Sequence, residues 1–221
     1  MESIPALDAL KMTFENPLAQ KATVLLYSQS QTECTRNGKC GMEIGMAREK
    51  DQGAVLKMFL GDAVRVDIDN SLTEDYVVHG EKISAKHSQA KIGSPVKAKW
   101  TSAKDSVEKD LATMIEAPDS YYPHLLLTYI NPAKKEINIF CFTATQNRTV
   151  VKSLGVEAFK VPKGNSRGIE YSSKAMKALF AQTPYFHVKI ADADVMGSVD
   201  PIERRIQMLR SLGLCPPAEE K

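Results

Sequence analysis

The runs Asp75-Tyr76-Val77-Val78 and Lys82-Ile83-Ser84-Ala85-Lys86 flank His79-Gly80-Glu81, and two alternating runs about a glycine-containing turn predict a β-hairpin. Side chains two apart in a strand share a face, so Lys82, Ser84, Lys86 and Ser88 point one way and Ile83, Ala85 and His87 the other. Asp75 opens the first strand with eight residues between it and Ser84, which lets its carboxylate approach a lysine of the second strand. A hard cation such as Mg²⁺ takes oxygen ligands, commonly one or two carboxylates with phosphate oxygens and water. A lysine ammonium beside it can orient a water and offset charge on a phosphate in the transition state. Acid, cation and lysine are what phosphodiester cleavage requires.

Several elements must position these residues. Residues 1–27 read as one or two short helices and an apolar run, and 28–41, polar with an Asn37-Gly38 turn signal, read as a loop or arm. Met46, Val55, Leu56, Phe59 and Leu60 approximate a 3.6-residue period and predict a helix over 45–60 that stops at Gly61. Val64–Ile68 alternates like a strand, 104–116 has helical spacing, and 124–130 and 136–142 are apolar strands joined by a turn at Asn131-Pro132. Residues 172–181 predict a helix capped by Ser172 or Ser173, and 201–212 a helix with Pro in its first turn, packed on the core or on a second subunit. This order predicts a mixed α/β domain rather than a βαβ repeat.

The chain has 221 residues, 43% hydrophobic and 25% charged, an ordinary globular composition. A chain of this length buries roughly 70% of its unfolded surface, so it needs no metal or disulfide to hold a core. The N-terminus shows no signal peptide and no stretch reaches the roughly 18 apolar residues of a membrane span. No membrane partner is therefore expected, and Cys34, Cys40, Cys141 and Cys215 lack zinc-site spacing, which points to free thiols in a reducing cytoplasm. The net charge of +2 conceals two basic blocks: residues 82–104 hold six lysines and no acid, and residues 147–189 carry a net +6. Such blocks in a near-neutral chain suit a polyanion partner, although each alone reads equally as solvated surface.

Glu49 on its helix, Asp75-Tyr76-Val77-Val78 and Ser84-Ala85-Lys86-His87-Ser88 together resemble the PD-(D/E)xK nuclease core, most of all that of type II restriction endonucleases. The resemblance covers roughly 45–142. It implies an α/β fold with a restriction-endonuclease-like core, a central mixed β-sheet flanked by helices, in a single domain 1–221. The nuclease core would span about 43–145 and a C-terminal DNA-contacting segment about 146–190. It also implies an Mg²⁺-dependent, sequence-specific endonuclease acting on double-stranded DNA, with Mn²⁺ able to substitute, that leaves 5′-phosphate and 3′-hydroxyl ends. Asp75 would be the main metal ligand, Ala85 would lend its carbonyl, Lys86 would sit beside the attacking water, and Glu49 would hold the metal or the water. The chain departs from the pattern in two places. Thr73-Glu74 precedes Asp75 where the motif has Pro, and Ser84 stands where Asp or Glu is usual. Glu49 is the first candidate for the substitute acid and Glu81 the second.

Phosphate contacts position a protein on a duplex and base-edge contacts specify sequence. Ser88, Gln89, Lys91, Lys97 and Lys99 follow the hairpin and suit phosphate and groove contacts, with Trp100 either stacking on a base or anchoring the segment. Arg148, Asn165, Arg167, Ser172, Ser173 and Lys174 suit base edges, and Arg167 is the best guanine reader. A palindromic target would favour a homodimer. Asp67 and Asp69 form a rival acid pair, and His79 at the turn is a possible base. Two other readings share these residues. One is a structure-directed repair or recombination nuclease of the same fold, and the other is a non-catalytic DNA-binding module. No phosphate-binding glycine loop or nucleophile elbow is present.

Overall fold

Two prolines each open a helix near the N-terminus. In the computed structural model, Pro5 begins α1 (Pro5–Glu15) and Pro17 begins α2 (Pro17–Arg36), whose Asn16 cap accepts a hydrogen bond from the Leu18 N–H at 2.8 Å. The structure describes residues 3–39, 42–66, 74–100, 107–117, 119–161 and 168–195, with 202, 205, 206, 209 and 210. Asp67, Asp69, Asn165, Arg167 and most of 201–212 therefore lie outside the described residues.

Helix α2 corrects the expectation of a loop over 28–41. Its polar C-terminal half stays helical because the side chains satisfy one another one turn apart. Gln29 donates to Glu33 at 2.9 Å and Gln31 to Thr35 at 3.2 Å, while Tyr27, Ser28 and Cys34 are buried. The turn signal acts only at the end, where Asn37 caps the helix and Gly38 takes a left-handed φ of 65°. Helix α3 (Met42–Leu60) follows and ends at Gly61, φ 57°.

The hairpin forms as expected. Strands β2 (Tyr76–Val78) and β3 (Glu81–Ser88) are antiparallel, and their two-residue loop puts both His79 (φ 47°) and Gly80 (φ 85°) at positive φ, the geometry that matches strand twist. With β1 (Val64–Val66), β5 (His124–Asn131), β6 (Glu136–Phe142) and β9 (Phe186–Ile190) they make a six-stranded sheet in the order β1-β2-β3-β5-β6-β9. Among the described residues only β3 and β5 of this sheet run parallel, so the sheet is mixed. Seven of the eight residues of β5 are buried, as a strand covered on both faces requires. A second sheet has the order β4-β8-β7, with β4 (Lys97–Trp100), β7 (Phe159–Lys160) and β8 (Gly168–Tyr171).

The main sheet divides the core. Leu7, Leu10, Phe14, Tyr27 and Leu56 from α1–α3 pack with Tyr76, Ile83 and Leu126 on one face. The other face carries Leu125, Leu127 and Phe142. It is covered by α4 (Val107–Glu116), α5 (Ala144–Leu154), α6 (Ser173–Phe180) and the second sheet. Helix α5, absent from the sequence reading, begins with a capping box: Thr143 Oγ1 accepts from the Gln146 N–H at 3.1 Å and Gln146 Oε1 from the Thr143 N–H at 2.8 Å. Among the described residues no helix is long and apolar enough to cross a membrane. Cys34 and Cys141 are buried free thiols.

Candidate active site

Strand β2 begins at Tyr76, but its pairing with β3 starts one residue earlier, because the Asp75 N–H donates to the Ile83 carbonyl at 2.9 Å. This rung holds the Asp75 backbone against β3 and sends its side chain across to the next residues of that strand. Asp75 Oδ2 accepts from Ala85 N at 2.7 Å, from Lys86 Nζ at 2.9 Å and from Ser84 Oγ at 3.2 Å. A strand residue directs its N–H and C=O to the same edge, so the Ala85 carbonyl leaves the sheet on the Asp75 side, past the end of β2. The register that brings Asp75 to Ser84, Ala85 and Lys86 follows from the two-residue turn, which makes this grouping a local property of the hairpin.

Glu49 arrives from α3. Burial raises its carboxyl pKa from 4.5 to about 7; Lys86 opposes that rise and Asp75 adds to it. Burial works against the Lys86 ammonium, but the Asp75 and Glu49 carboxylates and the hydrogen bond to Asp75 outweigh it, and its pKa stands above the ordinary lysine value. Lys86 is therefore a permanent cation between two acids. The side chains of Lys86 and Asp75 are 15% and 20% exposed, enough to meet a ligand from solvent.

Polar contacts behind the site tie α2, α3 and the strands together. Tyr27 Oη and His87 Nε2 are 2.7 Å apart, Gln52 Nε2 donates to Thr128 Oγ1 at 3.1 Å, and Tyr76 Oη donates to the Glu49 carbonyl at 2.5 Å. Buried Arg48 donates to Gln31 Oε1 at 2.6 Å. Sequence reasoning missed Tyr76, Gln52 and Arg48. Their neighbours Asp75 and Glu49 marked the region, but nothing in the spacing marked them.

Two expectations fail on position. Glu81, the second candidate for the missing acid, lies at the turn end of β3, where its carboxylate faces His124 Nε2 at 3.3 Å. His79 occupies the turn itself, whereas Asp75 lies at the open end of the hairpin, roughly 13 Å away at the rise of a strand. Ser84 is present at the site, but its hydroxyl donates to Asp75 instead of replacing an acid.

The basic residues beyond the hairpin are spread over several elements. Lys91 is exposed and Gln89 Nε2 donates to Gln31 at 3.3 Å. Ser88 Oγ accepts from Ala90 N at 3.1 Å. Lys99 pairs with Asp110 at 2.8 Å, Arg148 with Asp119 at 2.7 Å and Lys174 with Glu157 at 2.8 Å. Lys97 lies half-buried on β4, where burial lowers its pKa and Glu170 opposes that change. Ser172 caps α6 by accepting from Ala175 N at 3.1 Å, and Ser173 is the first, exposed residue of that helix. Trp100 ends β4. Lys99, Arg148 and Lys174 are thus answered by acids on neighbouring elements.

A family model described as restriction endonuclease ThaI matches residues 17–208 of this chain. A solved structure described as a restriction endonuclease in complex with substrate DNA superimposes with a TM-score of 0.68 at 24% identity. The match covers 91% of this chain and 98% of that one, and it establishes a common fold. No curated protein matches the sequence.

Proposed function

The chain belongs to the ThaI restriction endonuclease family, and from that premise we propose that it cuts double-stranded DNA at a specific sequence by Mg²⁺-dependent hydrolysis, with Mn²⁺ able to substitute. One observation carries the reading: a single Asp75 oxygen gathers the Ala85 N–H and the Lys86 ammonium at 2.7 and 2.9 Å, with the Glu49 carboxyl beside them.

The donor set fits a hard divalent cation. Asp75 and Glu49 supply oxygen; burial, with Asp75 adding to it, raises the pKa of Glu49 to about 7, a cost to its carboxylate form that a bound cation would offset. Among the described residues no three acid, His or Cys side chains cluster as a complete metal site. The remaining ligands would be the Ala85 carbonyl, water and phosphate oxygens of the DNA, a shell typical of Mg²⁺. When bound, the cation supplies Lewis-acid stabilisation of charge on the phosphate.

The chain's own residues do the rest. Asp75 is fixed by three donors that all fall on Oδ2, and its side chain is 20% exposed. Lys86, held charged, orients the attacking water and offsets charge on the phosphate oxygens. The water oxygen bonds to phosphorus and gives up a proton to solvent, the P–O3′ bond breaks, and the departing oxygen takes a proton from solvent, leaving 5′-phosphate and 3′-hydroxyl ends. Lys82 shares the Lys86 face of β3, and Lys91 follows that strand; both are exposed and suit neighbouring phosphates. The Lys174–Glu157 pair, exposed on both sides, is weak enough to exchange its carboxylate for a DNA phosphate. A palindromic target would be read by two copies related by a two-fold axis.

The test is a gel of long double-stranded DNA of known sequence, incubated with protein and Mg²⁺ beside an EDTA control. Discrete metal-dependent bands support the proposal and map the target. A smear keeps the chemistry but replaces sequence specificity with recognition of structure. Intact DNA with Mg²⁺ and with Mn²⁺ overturns it.

A further inference from the structure

We infer that Tyr76, seated on Gly53, is a positioning residue that sets Glu49 of α3 against Asp75 of the hairpin. The inference rests on the reading that Glu49 and Asp75 hold the cation.

Tyr76 follows Asp75 directly, so strand alternation sends the two side chains to opposite faces. Asp75 faces Ser84 and Lys86, while the Tyr76 ring enters the core beneath α3, 1% exposed. Its hydroxyl donates to the main-chain carbonyl of Glu49 at 2.5 Å and lies 3.4 Å from Gln52 Oε1. That carbonyl is inside a helix, where the N–H of residue 53 four positions on is its ordinary donor. The tyrosine is thus an additional donor on one carbonyl among the nineteen of α3, and that carbonyl belongs to the residue whose carboxyl reaches the site.

Residue 53 is also where the ring approaches the helix. A Cβ added to Gly53 would stand 3.1 Å from Tyr76 Cε1 and 3.1 Å from both γ-carbons of Val66. Gly53 has no left-handed φ to accommodate, and glycine is a poorer helix former than alanine, so its role here is space. The space lets the ring lie close enough for its hydroxyl to reach the Glu49 carbonyl. Gln52, the adjacent residue, donates to Thr128 of β5 at 3.1 Å. Helix α3 is therefore registered against both strands that flank β3, through Tyr76 on β2 and through Gln52 on β5. A ring needed only to fill the core would not require its hydroxyl, since a buried hydroxyl is unfavourable unless bonded.

The test uses the full chain with Mn²⁺ as the probe. Tyr76→Phe keeps the ring and removes the donor; Gly53→Ala keeps the donor and crowds the ring and Val66, one of which must shift by a few tenths of an ångström. Each is expected to weaken Mn²⁺ binding in calorimetry by about fivefold to tenfold and to lower kcat, while DNA affinity in EDTA stays within twofold. The double variant is expected to be no worse than the weaker-binding single one, because both changes break the same contact. Glu49→Gln and Asp75→Asn serve as references. If these two lose Mn²⁺ affinity while Tyr76→Phe and Gly53→Ala both retain it, the positioning role is overturned and the two-acid site stands. If Glu49→Gln and Asp75→Asn bind Mn²⁺ as the native chain does, the two-acid site itself fails, and the positioning role with it.

Discussion

Replacing Glu49 by Gln should make the metal-free protein more stable at pH 8 while leaving it nearly unchanged at pH 4.5. The folded chain holds the Glu49 proton up to a pKa of about 7, whereas the unfolded chain gives it up near 4.5. Between these values the folded state binds more protons, so raising the pH lowers stability across that window and has no further effect above it. At about 1.4 kcal/mol per pH unit, the rise from 4.5 to about 7 corresponds to a penalty of about 3 kcal/mol, fully present at pH 8. Glu49→Gln is neutral throughout and escapes it. For a chain of this size each kcal/mol moves Tm by roughly 2–4 °C, so the variant should melt up to about 10 °C above the native protein at pH 8. Asp51, also raised by burial to about 7, titrates in both proteins and cancels in the difference. The assay is thermal unfolding in EDTA at pH 5, 6, 7 and 8. A native-to-variant Tm difference that does not change with pH would refute the claim that Glu49 is buried beside Asp75. Adding Mg²⁺ at pH 8 should raise the Tm of the native protein and leave that of Glu49→Gln nearly still.

Three further outcomes are expected. Asp75→Asn and Lys86→Met should each slow cleavage by about 10²–10³-fold while retaining DNA binding in EDTA, measured by single-turnover cleavage and gel shift; a variant within threefold of native cleavage would remove that residue from the mechanism. If Lys91 contacts a phosphate, Lys91→Ala should reduce the slope of log K against log salt by about 0.9 without changing the target sequence, and an unaltered slope would place that lysine off the DNA. His124 Nδ1 accepts from the Ala144 N–H at the start of α5, and burial lowers its pKa. The neutral ring is therefore the stabilising form, its contribution is present above pH 6.5 and lost as pH falls, and His124→Ala should cost more stability at pH 8 than at pH 5.

The sequence was most legible where structure is local. Asp75, Ser84, Ala85 and Lys86 come together because a two-residue turn sets their register, and turn chemistry is visible in His79-Gly80. The apolar runs of β5 and β6 and the period of α3 are equally direct readouts of burial. Glu49 could be suspected, but its approach depends on how α3 packs over β2, which no spacing encodes. The second half of α2 was misread because its polar run ends in the Asn37-Gly38 turn signal, while here Gln29 bonds to Glu33, Gln31 to Thr35, and Tyr27 and Cys34 are buried. Strand β4 was hidden because its partner β8 lies about 70 residues away, with Lys97 opposite Glu170 and Trp100 opposite Gly168. The lysine tract looked like a free basic surface for the same reason. The acid that answers Lys99 is on α4 and the one that answers Lys174 precedes β7, so the pairing is a tertiary fact.

The weave of the two sheets also limits how this protein can be cut or recombined. The connection from β3 to β5 leaves the main sheet to contribute β4 to the second sheet, which the chain completes only with β7 and β8; it then returns to add β9 beside β6. A fragment ending near residue 145 would leave β4 without its ladder and open β6 as a flat, apolar edge, the kind of edge that seeds aggregation. The residues before and after about 145 are therefore not separable pieces of this fold. Its specificity would have to change by substitution within the fold and not by exchange of a module.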